Sequence, residues 1–248
     1  MDATGRAPSI VFVPGFMQPG DAWAPVAERL GERYRCHLLD HREHTHQGRL
    51  REIAEAGEGA VLCGYSLGGR LALRACLADP GRYAGLVAVG ATAGIEGPGQ
   101  RTVRAEADEK LASWMETQPI ERVVEVWERQ PLFADQSDLL VEAQRPGRLA
   151  QDPRDLALLL RTAGQGALEP VWQELHTFPI PLMALAGSID ERYADAARRM
   201  AAAVPTGRVE IVDAAGHAPQ LQQPDAVARL LEGFLADLLD NDLGQSSI

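Results

Sequence analysis

Short apolar runs recur along the chain and are separated by longer segments in which apolar and polar positions follow a helical period. Several of the short runs are continuously apolar, which is typical of parallel strands that helices cover on both faces. The strands predicted from these runs are residues 9–13, 34–39, 60–64, 85–89, 181–186 and 209–212. The helical segments predicted between and after them include residues 22–30, 67–77, 193–203 and 226–239. This alternation predicts an α/β fold with a mostly parallel central sheet flanked by helices.

The alternation is interrupted between residues 95 and 174, where charged residues, Leu and Trp recur at helical spacing without a strand-like run. Within this stretch, Asp152 followed by Pro153 is a favourable helix start, since proline is tolerated at the first helical position. Gly164 and Gly166 then mark the end of that helix. We therefore expect residues 95–174 to form a helical cap inserted into a core of residues 1–94 and 175–248. The polar residues 241–248 are expected to fray.

Length and charge narrow the class of protein. At 248 residues the chain is long enough for one core with a sizeable insertion. Its formal net charge of -11 argues against nucleic-acid binding, which needs a basic face. The sequence has no run of about 20 apolar residues, as a membrane helix requires, and no signal-peptide pattern in its first residues. We therefore expect a cytoplasmic protein without a membrane partner, whose oligomeric state the sequence does not reveal.

The strongest local signal is the sequence Gly64-Tyr65-Ser66-Leu67-Gly68, which follows a predicted strand and precedes a predicted helix. A G-x-S-x-G sequence in this context is typical of a nucleophile elbow, a strained turn that exposes the serine hydroxyl above the carboxyl ends of the strands. The two glycines allow backbone segments to pass close together around that turn. Ser66 is therefore the predicted nucleophile or base, and the N-terminus of the following helix would stabilise negative charge beside it.

A serine hydroxyl needs an imidazole to accept its proton, and the imidazole needs a carboxylate that fixes its tautomer. These partners are expected downstream of the serine, the carboxylate before the histidine. Asp190 follows the predicted strand 181–186, and His217 follows the strand 209–212. Both therefore lie at the carboxyl ends of predicted strands, where ligands bind in open α/β sheets. We predict that Ser66, Asp190 and His217 are the catalytic residues.

The other histidines are weaker candidates. His37, His41, His44 and His46 cluster in a polar segment that we interpret as a solvated loop, and His176 lies at the exit of the cap. Neither these histidines nor the three cysteines have the spacing of a metal site. We therefore expect no metal and no cofactor, and cysteines that are buried as small apolar side chains.

Negative charge that develops on a substrate needs an oxyanion hole, made from the amide after the nucleophile and one amide from the loop after the first strand. Leu67 supplies the first amide. In the loop Val13-Pro14-Gly15-Phe16, the predicted second donor is Phe16. Proline has no N–H, and Gly15 is needed for the turn.

Together these residues resemble the α/β-hydrolase superfamily over nearly the whole chain. Within that superfamily, three stretches resemble the synthases that form 2-succinyl-6-hydroxy-2,4-cyclohexadiene-1-carboxylate in menaquinone biosynthesis. The stretches are residues 64–73, residues 127–134 (Trp-Glu-Arg-Gln-Pro-Leu-Phe-Ala), and Gly164-Gln165-Gly166 followed by Pro170-Val171-Trp172. Synthases of this group eliminate pyruvate from a cyclohexene precursor that bears several carboxylates. The resemblance therefore implies a carbon-oxygen lyase.

The resemblance also implies where the substrate binds. The implied substrate-binding arginines are Arg70, Arg104 and Arg148, and Tyr65 and Trp127 would complete the pocket wall. Arginines are also the residues that we expect to bind a small molecule with several carboxylates, because arginine is always charged and pairs with a carboxylate through two hydrogen bonds. The expected partner is therefore a small anionic substrate.

Two other functions remain open. A serine hydrolase of carboxylate-bearing esters, thioesters or carbon-carbon bonds would use the same three residues, but it would form a covalent intermediate or activate water. A non-catalytic binding protein with the same fold is the second alternative. Such proteins typically lose one of the three catalytic residues, and this sequence keeps all three.

Overall fold

The computed structural model describes residues 8–245, and the strands in that part of the chain form a six-stranded sheet. Every strand pair in the sheet is parallel, with the order β2-β1-β3-β4-β5-β6. The strands are β1 (Ser9–Val13), β2 (Arg35–Leu38), β3 (Val61–Tyr65), β4 (Gly85–Val89), β5 (Leu182–Gly187) and β6 (Gly207–Val212). The prediction of a parallel α/β sheet is confirmed, and each predicted strand lies within two residues of the observed bounds.

Helices connect the strands and lie on both faces of the sheet. They are α1 (Ala24–Leu30), α2 (His46–Ala56), α3 (Leu67–Ala78), α4 (Pro98–Met115), α5 (Ile120–Glu128), α6 (Asp138–Leu149), α7 (Pro153–Ala163), α8 (Glu191–Ala203), α9 (Pro219–Gln222) and α10 (Pro224–Gln245). None of the helices within residues 8–245 combines the length and apolar character needed to cross a membrane.

The two faces of the sheet form two separate hydrophobic cores because side chains alternate along a strand. In β1, Val11 and Val13 belong to the core that includes α2, α3 and α8. Ile10 and Phe12 belong to the opposite core, which includes α1 and α10. Burial on both faces explains why β1, β3, β4 and β5 are almost continuously apolar in sequence.

Four helices, α4 to α7, lie between β4 and β5 in the chain, in the stretch where strand-like runs are missing. Helix α7 begins at Pro153, and the Asp152 side chain accepts a hydrogen bond from the Arg154 N–H at 2.7 Å, as the predicted helix start requires. A third apolar cluster joins α4, α5 and α7 and includes Met115, Val124 and Leu156. The division into a core and a cap at residues 95–174 stays a prediction.

Helix α2 is missing from the sequence prediction, which treats its start as a loop. The Thr45 hydroxyl caps the helix by accepting from the Gly48 N–H at 3.1 Å. Its buried residues are Gly48, Arg49 and Ile53, so the helix presents little apolar periodicity. A short helix of this kind is stable mainly through tertiary packing, which here involves α3 and α7.

Two expectations concern the ends of the chain. Helix α10 continues to Gln245, so residues 241–245 are helical where fraying was expected. Residues 246–248, the rest of that predicted frayed segment, lie outside the described residues. Residues 1–7, on which the expectation of no signal peptide falls, also lie outside them.

Candidate active site

Ser66 lies in a tight turn between β3 and α3. Its φ of 51° and ψ of -109° are values that residues with a side chain rarely adopt. The turn needs glycine on both sides: a Cβ on Gly64 would lie 2.4 Å from the Gly68 oxygen, and a Cβ on Gly68 would lie 2.3 Å from the Val13 oxygen. The Ser66 N–H donates to the Val89 carbonyl at 2.8 Å and fixes the turn against β4.

The structure brings Ser66, His217 and Asp190 together from three separate loops. His217 Nε2 lies 3.2 Å from Ser66 Oγ, and His217 Nδ1 lies 2.7 Å from Asp190 Oδ2. Because a carboxylate only accepts hydrogen bonds, the neutral imidazole carries its proton on Nδ1. Nε2 is then left to accept the proton of the Ser66 hydroxyl. The arrangement can therefore activate Ser66 as a nucleophile or base.

The Asp190 carboxylate is itself held in place by the helix that follows it. Asp190 is the N-cap of α8, and its Oδ1 accepts a hydrogen bond from the Tyr193 N–H at 3.4 Å. His217 lies in the loop after β6 with only 3% of its surface exposed. Burial of the imidazole limits the motion of the ring between Asp190 and Ser66.

A cavity of about 130 Å³ lies above Ser66 and His217. All the predicted site residues except Asp190 line it, since Asp190 is behind the imidazole. The predicted oxyanion donors and pocket residues among these are Phe16, Leu67, Tyr65, Arg70, Arg104, Trp127 and Arg148. Leu67 is the first residue of α3, where a backbone N–H has no acceptor within the helix.

The apolar wall of the cavity is built from aromatic rings. The ring centroid of Trp127 lies 5.1 Å from that of Phe16 and 5.6 Å from that of Phe133. Tyr65 lies beneath, with its ring centroid 5.4 Å from that of His217. The pKa of the Tyr65 phenol is raised well above its usual value, mainly because the side chain is buried. A Cβ on Gly15 would lie 2.7 Å from the Tyr65 ring, which explains the glycine in that loop.

The three arginines differ in how the protein holds them. Arg70 donates to the Ala163 carbonyl at 3.2 Å, and burial lowers the pKa of its guanidinium to about 10. Arg148 donates to Glu128 at 3.0 Å and to Gln144 at 2.8 Å. Burial lowers the pKa of Arg148 too, and the Glu128 carboxylate opposes that effect. Both cations are thus fixed by neighbouring protein groups before any ligand binds.

Arg104 is more exposed than Arg148. Its Nε donates to the buried Asp108 carboxylate at 2.7 Å, while 38% of its side chain remains exposed. Arg104 also lines an open groove between α4 and α8, outside the cavity. It can therefore meet an anionic ligand either inside the cavity or at its outer edge.

The structure adds cavity residues to which sequence reasoning assigned no role. They are Gln18, Gln130, Leu132, Phe133, Gln165 and Tyr193, with several aliphatic residues of α4 and α7. Gln130, Leu132, Phe133 and Gln165 belong to stretches that carried the resemblance. Tyr193 has only a weak signal, its place three residues after Asp190. Its ring centroid lies 4.4 Å from that of His217.

The prediction of a solvated histidine loop is wrong for His41. Its side chain is buried, and its Nδ1 lies 2.7 Å from a carboxylate oxygen of Glu52. His37 lies in β2 and His46 is the first residue of α2, so the group does not form one loop. Burial, reinforced by the Arg49 cation, lowers the pKa of His41 to about 4. Within residues 8–245, no three His, Cys, Asp or Glu side chains are grouped as a metal site.

The fold, the elbow and the order of the three residues define a class of protein. The chain belongs to the alpha/beta hydrolase family, whose sequence profile matches residues 10–230. A putative 2-succinyl-6-hydroxy-2,4-cyclohexadiene-1-carboxylate synthase from Bacillus subtilis is 32% identical over 71% of this chain. The match spans 66% of that relative, just under two thirds. The synthase of that name from Serratia proteamaculans is 30% identical over 71% of this chain and 68% of its own length.

Other relatives bear a different name. A pimeloyl-[acyl-carrier protein] methyl ester esterase from Stenotrophomonas maltophilia is 31% identical over 99% of both chains. Among solved structures, MenH from S. aureus superimposes with a TM-score of 0.85 at 23% identity, covering 96% of each chain. A malate-bound esterase from Thermogutta terrifontis superimposes with a TM-score of 0.81 at 20% identity, covering 95% of this chain and 92% of the esterase. At these identities the structural likeness establishes the fold.

Proposed function

We propose that this chain is a carbon-oxygen lyase that eliminates pyruvate from a multiply carboxylated cyclohexene, giving 2-succinyl-6-hydroxy-2,4-cyclohexadiene-1-carboxylate. One observation carries the proposal: Arg70, Arg104 and Arg148 line the same cavity as Ser66 and His217. In a chain with a formal net charge of -11, cations gathered around a nucleophile indicate an anionic ligand. The synthase names of two relatives support the identity of the product.

The proposed reaction uses Ser66 as the base. His217 Nε2 accepts the Ser66 proton, and the Ser66 oxygen removes a proton from the ring carbon next to an electron-accepting group. The electrons of that C–H bond form a new ring double bond as the neighbouring C–O bond breaks. Pyruvate departs as its enolate, receives a proton from the imidazolium and tautomerises to the keto acid. Asp190 stabilises the imidazolium throughout, and no covalent intermediate forms.

Negative charge also develops on the accepting group while the proton is removed. We assign its stabilisation to the N–H groups of Phe16 and Leu67, which line the cavity beside Ser66. The three arginines bind the carboxylates of the substrate and hold the ring over the base. Fixed bidentate cations suit this task, since a misplaced ring would leave the C–H bond out of reach of Ser66.

Pyruvate release tests the proposal directly. The purified chain is incubated with the carboxylated cyclohexene precursor, and pyruvate is followed with lactate dehydrogenase. We expect turnover that Ser66→Ala reduces by a factor on the order of 10³ or more. Ser113→Ala, on the exposed face of α4, is the matched control and should leave the rate unchanged. No pyruvate release by the wild-type chain, together with hydrolysis of simple esters, would overturn the proposal.

A serine esterase is the second candidate, favoured by the esterase relative that is similar over nearly the whole chain. An esterase would form an acyl-enzyme on Ser66 and should give a burst of nitrophenol from nitrophenyl esters. Its rate on neutral esters should also tolerate neutralisation of Arg70 or Arg148. A burst of that kind without pyruvate release would favour the esterase.

The remaining alternative is a non-catalytic binding protein, which would retain its function in Ser66→Ala. A complete set of Ser66, His217 and Asp190 at hydrogen-bond distance argues for catalysis instead. We further propose that the enzyme works in the cytoplasm on a small anionic substrate and needs no cofactor, because acid-base chemistry alone completes the proposed reaction. Equal turnover by Ser66→Ala and the wild-type chain would contradict the catalytic assignment.

A further inference from the structure

Gln165 and Tyr193 form a polar pair in the wall of the cavity, and the proposed reaction does not yet use it. Gln165 follows α7 and Tyr193 lies in the first turn of α8, so the pair joins the end of α7 to the start of α8. The Gln165 Nε2 donates to the Tyr193 hydroxyl at 2.8 Å. Both residues are nearly buried, with 6% and 7% of their surfaces exposed.

Within residues 8–245, the pair leaves one acceptor and one donor without a protein partner. Among the described residues, no group donates to the buried Gln165 Oε1. The Tyr193 hydroxyl accepts from Gln165, so its own hydrogen remains to be donated. A buried polar atom without a partner is costly, and such atoms beside a cavity are explained when a ligand pairs with them.

Arg70 adds a positive charge to this part of the cavity. It lines the cavity together with Gln165 and Tyr193, and it also lines a second, small void together with Gln165. Burial lowers the pKa of the Arg70 guanidinium, and the nearby Tyr193 phenol acts in the opposite direction. The three side chains together offer a cation, a hydroxyl donor and an amide acceptor. This combination matches a ligand edge that carries both a carboxylate and a hydroxyl.

The product named above has such an edge, because positions 1 and 6 are neighbours in a six-membered ring. We propose that Gln165, Tyr193 and Arg70 form a subsite for a carboxylate and a hydroxyl on adjacent ring carbons. Gln165 Oε1 accepts the hydrogen of the ring hydroxyl, while Arg70 and the Tyr193 hydroxyl bind the carboxylate. The identity of the ring rests on the proposed function. The subsite orients this edge next to His217, whose ring contacts Tyr193.

Direct binding of two simple probes tests the subsite without turnover. The probes are 2-hydroxycyclohexane-1-carboxylate, taken as each stereoisomer, and cyclohexane-1-carboxylate, which lacks the hydroxyl. Isothermal titration calorimetry on the wild-type chain should give an affinity at least about fivefold higher for one hydroxylated isomer. Gln165→Met should remove this preference, because methionine keeps the volume and loses the acceptor. Tyr193→Phe should weaken the binding of both probes about tenfold, because it removes the donor to the carboxylate.

Tyr83→Phe is the matched control, because Tyr83 is buried in the sheet core away from the cavity. It should bind both probes as the wild-type chain does, and thermal melts should confirm that each variant is folded. Three results would overturn the subsite. They are equal affinity of the wild-type chain for the two probes, no binding of either probe to the wild-type chain, and an unchanged preference for the hydroxylated probe in Gln165→Met. Pyruvate release without a hydroxyl preference contradicts the subsite alone. A hydroxyl preference without pyruvate release contradicts the proposed function alone.

Discussion

Asp190 accepts the Nδ1–H of His217 at 2.7 Å with one carboxylate oxygen and caps helix α8 with the other. One side chain therefore fixes the tautomer of the imidazole and the position of the helix that carries Tyr193. The two roles can be separated by substitution, because asparagine and aspartate cap helices equally well.

Asp190→Asn should lower kcat for pyruvate release about 10³-fold to 10⁴-fold while leaving the free energy of unfolding almost unchanged. The amide no longer favours the tautomer in which Nε2 accepts from Ser66. Asp190→Ala should lower kcat to a similar extent. It should also destabilise the chain by about 1 kcal/mol, because the helix cap is removed. Steady-state kinetics and urea unfolding measure the two effects. A similar loss of stability in both variants would contradict the separation of roles.

Glu128→Ala should destabilise the chain by about 3 kcal/mol, because it leaves the buried Arg148 cation without its carboxylate. Only 3% of the Arg148 side chain and 5% of the Glu128 side chain are exposed. The KM of the substrate should also rise, since Arg148 would be less firmly held at the cavity. Glu125→Ala on the same helix is the control: its carboxylate pairs with exposed arginines and should matter little. Equal unfolding midpoints in urea for the two variants would refute this account.

Gly68→Ala should lower kcat by a factor on the order of 10² and destabilise the chain by about 2 kcal/mol. The added Cβ would lie 2.3 Å from the Val13 oxygen and 2.4 Å from the Pro14 oxygen, so the loop before Phe16 must move. Gly233→Ala in α10 is the matched control. Its Cβ meets open space, and alanine should stabilise the helix by about 0.5–1 kcal/mol. A Gly68→Ala variant with wild-type kinetics would show that the glycine is not needed.

His41 should make the protein less stable as the pH falls below about 6.5. Burial lowers the pKa of the folded imidazole to about 4, whereas an unfolded histidine titrates near 6.5. Between these values only the unfolded chain binds the proton, so the free energy of unfolding decreases by up to about 1.4 kcal/mol per pH unit. Urea unfolding of the wild-type chain and of His41→Asn at pH 7.5 and 5.0 measures the difference. The prediction fails if the free energy of unfolding decreases equally in both chains between pH 7.5 and pH 5.0.

Much of the fold follows from local pattern. The six strands and the helices α1, α3, α8 and α10 are evident from apolar runs and helical spacing, because burial selects those patterns directly. Helix α2 is not evident from these patterns, since its capping Thr45 lies among histidines and its buried face includes Arg49. The burial of His41 is not evident from the sequence either. A polar residue among polar neighbours is expected to be solvated, and only the structure shows that its partner is Glu52.

The sequence by itself determined the order of the strands along the chain, the elbow around Ser66, and which residue types could serve as its base and carboxylate. These features depend on neighbours within a few positions or on the spacing of motifs. Only the tertiary structure decided that the imidazole of His217 lies within 3.2 Å of Ser66, and that Tyr193 and Gln165 meet. Contacts between residues far apart in the chain depend on how the strands are ordered in the sheet and how the helices pack, and no local pattern encodes that arrangement.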